Sequence, residues 1–108
     1  MSWHVVDTTL EYTESGMREQ EIFKRDIGLI ESSDILLAEV TVPSIGVGYE
    51  ICHAVHEGIP VICMHDRDAD VSSMVLGNTY DKISIVEYSD VSELETIITG
   101  SIDSILSQ

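Results

Sequence analysis

The chain has 108 residues, enough for a single core and one site. Its 44% hydrophobic content is too high for a disordered polymer, yet no uninterrupted apolar stretch approaches the roughly 20 residues that a membrane span needs. Five Lys and Arg against 20 Asp and Glu leave a formal charge of −15, which repels DNA, RNA and anionic lipid, so neither a nucleic-acid polymer nor a membrane is an expected partner.

The opening MSWHVVDTT lacks the basic-then-apolar profile of a signal peptide, and a cytoplasmic location is expected. Residues 3–6 form a short apolar run that predicts a strand, ended by the turn-favouring Asp7, Thr8 and Thr9. Over 14–32 the apolar Met17, Ile22, Phe23, Ile27 and Ile30 recur at helical spacing and predict an amphipathic helix. Asp26 lies three residues after Phe23 and four before Ile30, on the apolar stripe itself. Two readings of it stand: a stripe-edge carboxylate paired with Arg18, Lys24 or Arg25, or a desolvated acid facing a cleft.

Residues 35–40 are almost continuously apolar, as in a strand covered on both faces of a parallel sheet. Glu39 interrupts the run near its end, where a carboxylate bonded to neighbouring loop backbone is preferred over a catalytic one. After the turn at 41–44, Gly46 and Gly48 are positioned to let backbone approach a ligand before a helix over 47–57. A Gly-x-Gly spacing alone is weak evidence for phosphate binding; its place between a strand and a helix start strengthens it. On that helix Val47, Ile51, Ala54 and Val55 form the core stripe, and Glu50 flanks it, bordering the crevice at the carboxyl ends of the strands.

Gly58 predicts the helix end, and 59–64 the next strand, with Pro60 at its start. The clustered acids of residues 65–70 lack the glycine and distal Glu of a calcium loop and read as a solvated turn. A short helix over 71–76 closes at Gly77 and Asn78; 82–87 predicts an edge strand and 91–106 a final helix carrying Leu94, Ile97, Ile98, Ile102 and Ile105. His53 and His56 lie three apart on one helix without a third ligand at zinc spacing, and Cys52 and Cys63 are read as reduced core residues; no metal or cofactor is expected. The alternation of strands and helices is that of a doubly wound α/β domain over 1–108: a Rossmann or flavodoxin-like three-layer fold with a parallel sheet of about four strands.

The segment AEVTVPSIGVGYEICHAV resembles the nucleoside 2-deoxyribosyltransferase superfamily, and its PSxGVGYE stretch resembles the branch of 2′-deoxynucleoside 5′-monophosphate N-glycosidases. REQEIFKRDIGLIESSDILLAEV and SSMVLGN fall where that family has matching segments, so the resemblance runs from about His4 to Asn78. It implies Glu50 as a nucleophile that attacks C1′ of the deoxyribose, and Asp26 as the acid assisting departure of the base. It further implies contacts from Ser44 and Gly46 to the 5′-phosphate, with His4 near the base pocket and Asn78 among the substrate contacts. Ser72 or Ser73 would reach the site of a second copy in a homodimer. Family members carry a further strand and a glycine-rich loop of the type IYFxGSIRGG ahead of the segment matched by residues 3–6, so an N-terminally shortened domain is expected. Two carboxylates, one nucleophile and one acid, are what retaining cleavage of a glycosidic bond requires. The substrate implied is a small deoxynucleoside or deoxynucleotide, cleaved by water or with transfer to another base. The alternative is a non-catalytic nucleotide-binding or dimerisation module that has lost activity with that strand. A signalling receiver is set aside because no acidic pair follows Val6.

Overall fold

The computed structural model describes residues 2–6 and 18–107. The turn expected at Asp7, Thr8 and Thr9, and residues 14–17 of the first predicted helix, lie outside the described residues. Four strands, β1 (Trp3–Val6), β2 (Ile35–Glu39), β3 (Val61–Asp66) and β4 (Ile83–Tyr88), alternate with helices α1 (Glu19–Glu31), α2 (Ile45–His56), α3 (Ser73–Leu76) and α4 (Leu94–Leu106). One 3-10 turn, Val91–Glu93, leads into α4.

The strands make one parallel sheet in the order β1-β2-β3-β4, with Trp3 opposite Ile35, Leu36 opposite Val61 and Val61 opposite Ile83. Successive side chains of a strand point to opposite faces, and this alternation builds two cores. Leu36, Ala38, Val40, Val61 and Cys63 pack with Ile30 of α1 and Val47, Ile51 and Ala54 of α2, whereas Ile35, Leu37, Ile62, Met64 and Tyr88 pack under α4. Strands joined in ascending order by crossovers of one hand place every connecting helix on the same face. Helices therefore cover both faces, as expected, but the change of face comes only at α4, after the last strand, and the described strand order has no reversal.

The ends of β2 and α2 decide where the site lies. Ser2 and Asp34 tie β1 to β2: the Ser2 amide donates to Asp34 Oδ2 at 2.8 Å, and the Asp34 amide returns a bond to the Ser2 carbonyl at 2.8 Å. Helix α2 begins two residues before its predicted start, because the Ser44 hydroxyl accepts the Val47 amide at 3.2 Å and caps the first turn. Such a cap is worth about 1 kcal/mol. Gly46 and Gly48 consequently sit inside the helix and are not loop residues. At its far end Gly58 adopts φ +75°, a left-handed conformation that favours glycine, and the Ile59 amide bonds back to the Ala54 carbonyl at 2.9 Å. That bond holds Ile59 in the helix cap, so β3 starts at Val61 and runs on through His65 and Asp66, which the sequence assigns to a loop.

Two other expectations are corrected. Cys52 is exposed, one position off the buried Val47, Ile51 and Ala54 stripe, while Cys63 is buried and burial pushes its thiol up to about 11. Phe23, expected on the core stripe of α1, is 52% exposed, and only Ile30 of that helix is fully buried.

Candidate active site

Helices α1 and α2 pack side by side and leave a cleft of about 400 Å³. It is lined on α1 by Glu19, Ile22, Phe23, Asp26 and Ile27 and on α2 by Ile45, Gly46, Tyr49 and Glu50. The two carboxylates singled out in the sequence, 24 positions apart, thus share one cavity. Both reach it for a local reason: Asp26 lies on the apolar stripe of α1 and Glu50 flanks that of α2, each half-buried beside residues that pack inward.

Asp26 lines this cleft and is paired with Arg25. The Arg25 guanidinium donates through Nε at 3.1 Å and Nη2 at 2.9 Å to the same oxygen, Asp26 Oδ1. The pair is partly open to solvent, with side chains 39% and 22% exposed, and its contribution to stability is correspondingly small. Its effect is orientational, since it fixes the carboxyl that lines the cleft. His4 on β1 stands within electrostatic reach of both groups. Burial lowers its pKa, the Asp26 charge raises it and the Arg25 charge lowers it again, for a net shift downward. The ring is accordingly neutral at pH 7 and able to donate from one nitrogen and accept at the other.

A second cleft, of about 310 Å³, lies on the other side of the α2 N-terminus. Ser44, Val47, Gly48 and Ile51 of α2 and its cap face Ser72, Met74 and Val75 across it. Ser44 and Ser72 are both helix caps, the Ser72 hydroxyl accepting the Met74 amide at 3.2 Å. Ile45, 94% exposed, forms the ridge shared by the two clefts. The structure therefore brings Asp26, Glu50 and Gly46 together, with His4 near Asp26, and sets Ser44 with Ser72 across the ridge. Ser73 and Asn78 line neither cleft. The Asn78 side chain accepts the Tyr80 amide at 3.0 Å and shapes the turn after α3.

Beneath the second cleft, Glu39 has the structural role preferred for it. Its Oε1 accepts the Thr41 amide at 2.7 Å and its Oε2 accepts the Tyr88 hydroxyl at 2.7 Å. The Thr41 hydroxyl in turn accepts the Asp66 amide at 3.0 Å, so the loop from β2 to Ser44 is fastened to β3 and β4. A hydrogen bond from Thr41 lowers the Tyr88 pKa, but the bond to Glu39, burial and the charges of Glu39 and Asp66 outweigh it and push the phenol up. Sequence reasoning missed Tyr88 because its partner is 49 residues away, and it missed Tyr49 because a residue beside Glu50 carries no periodic signal of its own. His53, which has no third ligand at zinc spacing in the sequence, meets Glu31 across the helices at 3.2 Å. Among the described residues no group of three or more His, Cys, Asp or Glu side chains is arranged to hold a metal ion, and no helix is long and apolar enough to cross a membrane.

The four-stranded parallel sheet with flanking helices is a nucleoside 2-deoxyribosyltransferase-like fold. A solved CMP N-glycosidase of Clostridium botulinum shares it, with a TM-score of 0.75 over 90% of this chain and 96% of that one, at 16% identity. The chain belongs to the family of 2′-deoxynucleoside 5′-phosphate N-hydrolases. It is 58% identical over 98 residues to a 2′-deoxynucleoside 5′-phosphate N-hydrolase 1 of Methanosarcina mazei, covering 91% of this chain and 61% of that protein. A relative of the same name from Methanococcoides burtonii is 51% identical over 85 residues, which is 79% of this chain and 70% of that protein. No family model matches the chain. The chain thus spans about 61% of the length of its Methanosarcina mazei relative.

Proposed function

We propose that the chain hydrolyses the N-glycosidic bond of 2′-deoxynucleoside 5′-monophosphates. A Glu50 carboxylate oxygen attacks C1′, and the bonding pair of the C1′–N bond leaves with the base. Asp26, held at one oxygen by Arg25, handles the proton that the departing base takes up. Water then attacks C1′ of the glycosyl ester, gives its proton to Asp26 and releases the Glu50 carboxylate with 2-deoxyribose 5-phosphate. Two carboxylates suffice for this chemistry, and no step requires a metal or redox cofactor.

The observation that carries the reading is the sharing of one cleft by Asp26 and Glu50. The family name of the relatives supports the substrate class and favours water over a second base as acceptor. The α2 N-terminus, with its helix dipole, suits the 5′-phosphate better than any basic side chain in a chain with only five Lys and Arg. Ser44 and Gly46 flank that terminus, and His4 is proposed to face the base. Ser72 and Ser73 are proposed to serve a second copy in a homodimer, and Asn78 to shape the turn behind them. A cytoplasmic location fits a nucleotide substrate.

The test is incubation with a slow 2′-fluoro-2′-deoxynucleoside 5′-monophosphate followed by peptide mass spectrometry. A sugar phosphate on the peptide containing Glu50 is expected, and the absence of an adduct with either nucleotide or nucleoside overturns the reading. Parallel rates for nucleoside and monophosphate measure the contribution of the phosphate.

A further inference from the structure

The cleft between α1 and α2 carries one feature that cleavage chemistry does not use. Phe23 and Tyr49 meet across its mouth with ring centroids 6.0 Å apart and planes at 61°, an edge-to-face pair. Both rings remain about half exposed, at 52% and 54%. Aromatic side chains are among the largest sources of apolar burial, and this chain leaves two of its few aromatic rings at the rim of a cavity instead of in either core. Phe23 lies one helical turn before Asp26, and Tyr49 directly precedes Glu50, so each ring is the neighbour of one carboxylate. The remaining walls are the aliphatic Ile22, Ile27 and Ile45.

We infer that Phe23 and Tyr49 form the platform on which the nucleobase stacks, holding its glycosidic bond between Asp26 and Glu50. The inference rests on the proposed reading of the cleft as a deoxynucleotide site and extends it to how the base is recognised. Every base offers a π face, so a stacking platform binds the base with little regard to its identity. Selection then falls to the edge: Glu19, on the same cleft wall, presents an acceptor, which favours base edges bearing N–H groups. Binding energy drawn from the base in this way acts before the bond breaks and lowers KM more than it raises kcat.

The test is calorimetric titration with two probes: a carbocyclic 2′-deoxynucleoside 5′-monophosphate, whose C1′–N bond is not glycosidic and resists cleavage, and 2-deoxyribose 5-phosphate, which lacks the base. Phe23→Ala and Tyr49→Ala should each raise Kd for the carbocyclic nucleotide roughly tenfold or more, the usual loss when one stacking ring is removed. Neither should change Kd for the sugar phosphate. Phe23→Leu, which fills the space without a ring, should weaken the nucleotide in the same way, and Tyr49→Phe should bind it within about twofold of the wild type. Unchanged nucleotide affinity in both alanine variants, or equal loss for the two probes, would assign the rings to helix packing and overturn the inference. Failure of the cleavage reading is read separately, as a wild-type chain that binds the nucleotide through these rings without turning it over. A wild-type chain that binds neither probe overturns both.

Discussion

Tyr88, on the last strand, donates its hydroxyl to Glu39 at the end of the second strand, 2.7 Å away and 49 residues distant in sequence. The bond crosses β3 and fixes the carboxylate that also receives the Thr41 amide at 2.7 Å. Tyr88→Phe removes one donor from a half-buried carboxylate and should lower the unfolding free energy by about 1–3 kcal/mol in urea titrations. The raised phenol pKa adds a signature at alkaline pH. The protonated ring is favoured by folding, so its stability contribution is full below 10.0 and is lost as pH rises through the folded value. Tyr88→Phe should lack this alkaline loss.

Glu50 and Asp26 should respond unequally to removal of their charge. Glu50→Gln takes away the nucleophile and should reduce kcat by about a thousandfold or more, with no glycosyl adduct. Asp26→Asn leaves attack possible but removes the proton carrier, for a loss of about a hundredfold that is smallest for the bases that leave most readily. Absence of turnover by the wild type, with nucleotide binding retained in both the wild type and Glu50→Gln, would support the non-catalytic alternative.

His4 makes the acid side of the stability profile steeper. Folding lowers its pKa below the ordinary 6.5, chiefly by burial, so the unfolded chain binds more protons in the window just below 6.5. The stability contributed by the neutral ring is therefore complete above 6.5 and falls away as pH drops through the folded value. Replacing it by glutamine should flatten the decline measured by chemical denaturation between about pH 7 and pH 5.

The two thiols should separate cleanly under a thiol reagent at neutral pH. Cys52 is exposed on α2 and should react in the folded protein. Cys63, buried in β3 with its pKa raised to about 11, should react only after unfolding. One equivalent titrated in buffer and two in denaturant is the expected count.

Much of this structure is legible in the sequence, and the errors have local causes. Residues 35–40 announce a doubly covered strand because no polar residue interrupts them before Glu39, and Asp26 betrays the cleft because a carboxylate in an apolar stripe requires a partner or a ligand. The start of α2 is misread because Gly46 and Gly48 look like loop residues. The stronger signal is Ser44, three residues before Val47, whose hydroxyl supplies the missing cap. His65 and Asp66 look like loop because they are polar, yet strand pairing depends on backbone, and Asp66 stands opposite Tyr88. Contacts made across the sheet, such as Tyr88 with Glu39, or between helices, such as Phe23 with Tyr49, have no periodic trace and become visible only in three dimensions.

The ascending strand order has a consequence for how the chain reaches its native state. Every strand joins beside the one that precedes it, so each pairing closes a loop of roughly 20 to 30 residues, and the chain-entropy cost differs between them by only a few tenths of a kcal/mol. Closure entropy therefore ranks none of the three pairings first, and the apolar surface available decides. That surface is richest where β2 meets β3, with both strands buried on both faces, so the nucleus is expected there. The outer strands would then add to a template already in place.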